Sequence, residues 1–311
     1  MSSSDLTGTS LVRPGSLQAW SAAVRLPSLL VAISPVAVGT ALAWNRTGQL
    51  DLLIALLALA AAVALQVISN LQNDVGYTAR GAEEAGDRTG LPRATAEGWL
   101  SVGQVRAAIV LCCAFAIAIG LPVVAARGWP VLAIGLASMM AALAYMGGPR
   151  PIAYTPFGEF VVFVFFGLVA VAGSDFIQTG GIGAATWLAA IALGALAAAA
   201  LAVNNHRDID HDRNVGRRTF PVVFGAQAAK NMYSASVFGA FALLLPIAWL
   251  ESAVTLLTPL LLLPAALKLN RDFLHCPPGL AYNAILVRTF KLELGYAALI
   301  SAGAVAARLL H

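Results

Sequence analysis

WLAAIALGALAAAALAVNNHRDIDHDRNVGRRT, residues 187–219, passes without a break from an Ala/Leu run into a polar cluster. Asp208, Asp210 and Asp212, with Arg207, Arg213, Arg217 and Arg218, crowd into a chain that is otherwise apolar. If the helix of the Ala/Leu run continues through Asp212, then Asn204, Asp208 and Asp212 recur every fourth residue and share one face. A weaker copy lies upstream at Asn70-Leu71-Gln72-Asn73-Asp74, also at the end of an apolar run, and Asn70 to Asp74 repeats the spacing of Asn204 to Asp208. Two oxygen-rich clusters with arginines nearby suit a hard divalent cation that bridges to a phosphate-bearing ligand. Mg2+ takes one or two protein carboxylates and fills its shell with water and phosphate oxygens. A helix C-terminus adds a modest attraction for the cation. Ordinary solvation accounts for Asp210 and His211, but not for two matched Asn/Asp clusters.

Composition sets the class. Of 311 residues, 59% are hydrophobic and 11% charged, with mean hydropathy +0.80. That excludes a soluble domain and predicts an all-α, polytopic membrane bundle. The Ser/Thr-rich start lacks the basic and apolar regions of a signal peptide, so residues 1–19 read as a disordered cytoplasmic tail and 20–311 as a single transmembrane domain. Cys112, Cys113 and Cys276 have no metal-ligand spacing. No Gly-x-x-x-x-Gly-Lys loop is present, which removes a kinase-like reading.

Apolar stretches at 20–44, 52–71, 102–125, 130–146, 157–173, 185–203, 233–250, 253–269 and 292–310 predict about nine spanning helices. Pro27 and Pro35 in the first, and Pro259 and Pro264 in the eighth, predict kinks. With the N-terminus placed inside, only Arg46, Arg127 and Arg308 of the 19 Lys/Arg fall outside. The positive-inside rule therefore supports both the span count and a cytoplasmic N-terminus. Both Asn/Asp clusters then lie on the cytoplasmic side, where two long polar loops run over 74–100 and 204–230. The loop at 268–291 is longer than a tight turn needs.

Three places resemble the UbiA superfamily of membrane-embedded aromatic prenyltransferases, and within it the branch that prenylates 1,4-dihydroxy-2-naphthoate. They are Trp20 to Ala43 (WSAAVRLPSLLVAISPVAVGTALA), Ser69-Asn70-Leu71-Gln72-Asn73-Asp74-Val75-Gly76 with Arg88-x-Gly90-x-x-Arg93-Ala94, and Asn204-Asn205-x-Arg207-Asp208-Ile209-Asp210-x-Asp212-Arg213-x-x-Gly216-Arg217-x-Thr219. The likeness spans most of the chain. It departs at Tyr77, where the first signature usually has a further Asp, and mildly at Arg217, where Lys is common. Gly81 stands where many members of the superfamily have Asp, although the naphthoate branch often has Gly. Glu83, Glu84 or Asp87 could substitute for the acid missing at Tyr77.

The resemblance implies Mg2+-dependent transfer of a polyprenyl group from an isoprenoid diphosphate to an aromatic acceptor at the cell (inner) membrane, in menaquinone synthesis. The partners it implies are those two substrates and the lipid bilayer, with no nucleic acid. It places Asn70, Asn73 and Asp74 around one cation and Asn204, Asp208 and Asp212 around the other, with Asp74, Asp208 and Asp212 as the catalytic carboxylates. Arg25, Arg88, Arg93, Arg207 and Arg217 become diphosphate contacts, and Asn205 a substrate contact. Tyr145, Tyr154, Phe157, Phe160, Phe163 and Phe166 are wall candidates for a dry pocket that shelters an allylic cation. Other acceptors (4-hydroxybenzoate, homogentisate, a chlorophyllide, haem) fit the same motifs. A transporter or quinone-binding protein fits less well, because transporters place ionisable residues near mid-membrane.

Overall fold

The computed structural model describes residues 12–82, 90, 92–276 and 279–310. Ser16 accepts from the Ala19 amide and opens helix α1 (Leu17–Val24). The helix stops at Arg25, whose backbone is left-handed at φ 57° and ψ 60°. That conformation costs an L-residue about 1–2 kcal/mol. α2 (Leu26–Thr47) restarts at once, with Pro27 in its first turn, where a missing N–H costs nothing, and Pro35 inside. Asp51 caps α3 (Leu52–Ala79). A reciprocal Ser101–Gln104 capping box opens α4 (Val102–Arg127). α5 (Trp129–Ala144) follows Gly128.

α6 (Gly158–Val162), a π-helical stretch Phe163–Val169 and α7 (Ala170–Thr179) form one continuous span. The Ala/Leu run becomes α8 (Ala184–Arg207), followed by the short α9 (Ile209–Asn214) and α10 (Phe220–Phe224). α11 (Ala226–Ala242) and α12 (Leu244–Leu250) make the next span. A 3-10 stretch, Val254–Leu262, leads into α13 (Leu263–His275), and α14 (Ala281–Leu310) ends the chain. Among the described residues eight stretches are long and apolar enough to cross a bilayer, and α5 adds a shorter ninth. Each stretch predicted from the sequence has its helix.

Three boundaries differ from expectation for identifiable reasons. α3 runs past the expected boundary at Leu71 through Asn70–Asp74 to Ala79, so the loop expected to start at Asp74 begins several residues later. It ends where Gly81 (φ 62°) turns left-handed. Gly81 N–H donates to Thr78 O and Ala82 N–H to Tyr77 O, the paired bonds of a Schellman cap. The second loop coils into α9, α10 and the start of α11, with α8 breaking at Asp208 rather than continuing through Asp212. The stretch 268–291 is mostly helix, because α13 reaches His275 and α14 starts at Ala281. Residues 1–11 of the expected tail, and 83–89 and 91 of the first loop, lie outside the described residues.

α8 is the axis of the bundle. It packs against α2, α7, the π-helical stretch, α11, α12 and α14, and 72% of its apolar window is buried, the largest share of any span. Small residues make this possible, since lipid-embedded helices associate by close packing rather than by escape from water. A Cβ on Gly194 would stand 2.5 Å from Phe163 O, and one on Gly167 2.4 Å from Ala190 O. Gly194→Val should therefore cost at least about 1–3 kcal/mol of stability through overpacking. A lowered melting temperature in detergent checks this, and an unchanged one would refute the contact.

One apolar cluster joins residues of α2, α7, α8 and α11 through α14. A second joins α1, α3, α4 and Ala94 to Leu100. Away from the Asn/Asp signatures, fully buried Asp175 accepts from Arg46, the Gly183 amide and Thr186 Oγ1 and ties that end together.

Candidate active site

A cavity of about 590 Å³ is lined by α2, α3, α4, α5, the span Gly158–Thr179, α8 and α14. Along α3 its wall runs from Ala58 to Tyr77, about 28 Å at 1.5 Å per residue, close to the roughly 30 Å of a bilayer core. Spread over that length, the volume suits one slender chain rather than a globular ligand. Most of the wall is apolar. Its arginines and asparagines gather at the signature end, where Arg25, Asn70, Asn73, Arg93, Asn204, Asn205 and Arg217, with Tyr77, all face the same space.

The first signature builds that end from α3. Asn70 donates to Val24 O (2.7 Å) and Ser28 Oγ (2.8 Å) and accepts from Gln66, which pins α3 to the break at Arg25. Asp74 is 1% exposed. Its carboxylate accepts from the Ala94 and Thr95 amides at 2.9 and 2.8 Å and from Thr95 Oγ1 at 2.6 Å. It is a latch, holding the returning chain so that neighbouring Arg93 lies over the Tyr77 ring, 4.2 Å from its centroid.

The second signature follows the same plan. Arg207 meets Asp208 in a two-point pair, Nε to Oδ1 at 2.8 Å and Nη2 to Oδ2 at 2.7 Å. The same guanidinium donates to Asn204 Oδ1 and to Asn283 Oδ1 at the start of α14. Asp212, fully buried, accepts from Arg217 Nη1 at 2.5 Å and from Thr219 Oγ1 at 3.2 Å. Burial pushes the Asp212 carboxyl above the usual carboxylate range, and the Arg217 charge pulls against that. Arg217 also donates to Ala153 O and stands 5.2 Å from the Tyr77 centroid. The two signatures, far apart in sequence, meet at the Tyr77–Arg217 contact.

The residues expected from the sequence therefore fall into two layers. Arg25, Asn70, Asn73, Arg93, Asn204, Asn205 and Arg217 form the wall. Asp74, Asp208, Asp212 and Arg207 stand behind it, each carboxylate engaged by protein donors. Arg88 lies outside the described residues, as do Glu83, Glu84 and Asp87. Of the aromatic candidates, Tyr145 and Phe166 line the cavity. Phe157 and Phe160 are both 63% exposed and point away from it. Phe163 packs on Gly194, and Tyr154 lies within 6 Å of the Arg80 and Arg217 guanidiniums. Phe165, on the π-helical stretch, lines the cavity without a sequence signal that distinguishes it from its neighbours. Glu159 is a second omission: a single acid opening an apolar span, buried, and bonded to Asn205 at 2.9 Å.

The donor set is hard oxygen and fits Mg2+. Asn73 Oδ1 is buried, belongs to a cavity-lining residue and accepts no hydrogen bond. Asp212 accepts one bond from Arg217 and one from Thr219, and a carboxylate has about four lone-pair sites. Among the described residues no three His, Cys, Asp or Glu side chains converge on one point. A Mg2+ ion at this end would take few protein ligands and complete its shell from water and a ligand's phosphate.

The chain is a multi-pass helical membrane protein with a cationic pocket head and a long apolar bore. The profile of the UbiA prenyltransferase family matches residues 32–276, and the chain belongs to that family. Among its relatives is the 1,4-dihydroxy-2-naphthoate octaprenyltransferase of Escherichia coli (strain K12), 36% identical over 71% of this chain and 73% of that one. The protein of the same name from Bacillus subtilis (strain 168) is 33% identical over 67% of each chain. A UbiA homolog from Archaeoglobus fulgidus, solved bound to GPP and Mg2+, superposes with TM-score 0.69 at 19% identity, covering 94% of this chain and 99% of that one.

Proposed function

We propose that this chain transfers a polyprenyl group from an isoprenoid diphosphate to 1,4-dihydroxy-2-naphthoate, with loss of CO2, in menaquinone synthesis at the inner face of the cell (inner) membrane. The observation that carries the reading is the cavity itself, arginine-rich at the signature end and apolar for the rest of about 28 Å along α3. The head takes a diphosphate and the bore takes an isoprenoid tail. The names of the bacterial relatives support the acceptor, and the concentration of Lys and Arg at the signature end supports the orientation.

In this reading the allylic C–O bond breaks and the diphosphate leaves with the electron pair. A ring carbon bonds to the allylic carbon, and the carboxylate on that ring carbon departs as CO2, leaving its electrons to restore the ring. Arg93 and Arg217 stabilise the charge that grows on the departing oxygens. Asn73, Asp208 and Asp212 would hold Mg2+, which would add positive charge beside the leaving group. Tyr145, Phe165 and Phe166 present ring faces to the cationic fragment and exclude water that would quench it.

The test is purified protein in nanodiscs with Mg2+ and a polyprenyl diphosphate, offered candidate rings in parallel, with products read by mass spectrometry. A prenylated, decarboxylated naphthoquinol is expected. Product with another ring alone would move the pathway, and no product from folded protein that binds the diphosphate would end the catalytic reading.

A further inference from the structure

Behind the cavity wall stands a carboxyl that neither signature contains. Glu159, in the first turn of α6, is 3% exposed. Its Oε1 accepts from Asn205 Nδ2 at 2.9 Å, and its Oε2 is buried without a hydrogen bond. As an ionised carboxylate, Glu159 is acceptor-only, so its Oε1 takes the NH2 end of Asn205 and the Asn205 oxygen turns the other way. That oxygen is also buried without a donor, on a residue that lines the cavity. A buried acceptor left unmade is costly, and a ligand that brings an O–H relieves the cost.

The surroundings indicate which ligand. A Cβ built on Gly158 would lie 3.4 Å from Tyr145 Oη and 3.5 Å from Leu201 Cδ2, so the Gly158–Glu159 turn backs onto a corner walled by Tyr145, Leu201 and Asn205, all cavity-lining. The corner offers an aromatic face, an apolar edge and an acceptor oxygen with a carboxyl behind it. A diphosphate is repelled by such atoms and belongs with Arg93 and Arg217. A flat ring bearing a hydroxyl suits them.

We propose that Glu159 is a positioning residue that fixes Asn205 as the hydrogen-bond acceptor for a ring hydroxyl of the aromatic substrate. The inference rests on the prenyl-transfer reading and deepens it: the protein selects hydroxylated rings over their ethers, and the hydroxyl held at Asn205 sets which ring carbon meets the allylic fragment.

The experiment compares full-length wild type, Glu159→Gln and Glu159→Leu in nanodiscs. Calorimetry measures affinity for the dihydroxynaphthoate, for its two mono-methyl ethers and for a polyprenyl diphosphate, with KM values measured beside them. Wild type should bind one ether about tenfold more weakly than the hydroxylated ring, the scale of one net hydrogen bond. Glu159→Leu should weaken the hydroxylated ring by about tenfold, leave that ether unchanged and leave the diphosphate within about twofold. Glu159→Gln, which accepts the same N–H, should stay near wild type. Equal weakening of ring and diphosphate, equal weakening of hydroxyl and ether, no discrimination by wild type, or no effect of Glu159→Leu would each overturn the proposal. If the leucine variant does not fold, the nearly isosteric Glu159→Met carries the same expectation. Failure of wild type to make prenylated product would sink the transfer reading, while the binding comparison still decides this one.

Discussion

An Asp208→Asn variant folds, inserts and loses about 10²- to 10³-fold of its turnover, the scale of removing one preorganised group from a site where charge develops. The geometry separates this loss from misfolding. Arg207 keeps its bonds to Asn204 Oδ1 and Asn283 Oδ1, so the junction of α8 and α14 survives. An asparagine oxygen still accepts one of the two bonds that Asp208 now receives from Arg207. What disappears is a negative charge beside the pocket head, without which a cation has less to hold it and Arg207 is no longer balanced. Turnover and melting temperature measured on the same preparation decide the matter. Near-normal turnover would remove Asp208 from the chemistry, and a collapse in melting temperature would reassign it to folding.

Tyr77→Asp should lower diphosphate affinity by about ten- to a hundredfold, whereas Tyr77→Phe should stay within about threefold. By sequence alone an aspartate here looks like the repair of a missing ligand. The structure argues the reverse. Tyr77 is 4% exposed, with the Arg93 guanidinium 4.2 Å and the Arg217 guanidinium 5.2 Å from its centroid. The negative ring face lets the two guanidiniums stand close together in a low-dielectric space at the pocket head. A carboxylate at the same place would bind them directly and compete with the diphosphate. Phenylalanine keeps the ring face and loses only the hydroxyl. Equilibrium binding of a diphosphate at several Mg2+ concentrations checks both variants. Tighter, more metal-dependent binding by Tyr77→Asp would show that the position is a vacant metal ligand after all.

How much of this could be read in the sequence depended on the physics of each feature. The spans were legible because hydropathy over a bilayer-length window is a summed signal, and Lys/Arg placement an asymmetric one. The residues of the polar end were legible because Asn, Asp and Arg are conspicuous in apolar surroundings. Their layering was not. Asp74 uses its oxygens on the Ala94 and Thr95 amides, a pairing across twenty residues that no local pattern announces. The extension of α3 past Asn70 hinges on Gly81 taking a left-handed turn, whereas the hydropathy signal fades ten residues earlier. Glu159 was invisible because a lone acid opening an apolar span has no periodicity, and its meaning comes entirely from facing Asn205. The contact of Gly167 with Gly194 likewise depends on two helices approaching to backbone distance.

The bore along α3 carries a thermodynamic consequence for how the donor is recognised. A tail that enters it leaves one hydrocarbon phase for another, so the transfer releases almost no water and gains little hydrophobic free energy. Affinity then resides in the pocket head, and lengthening the tail adds little selectivity. The meaningful concentration is the mole fraction of donor in the bilayer, not moles per litre of buffer. Diluting the donor with inert lipid at constant bulk concentration should therefore slow the protein as though substrate had been withdrawn.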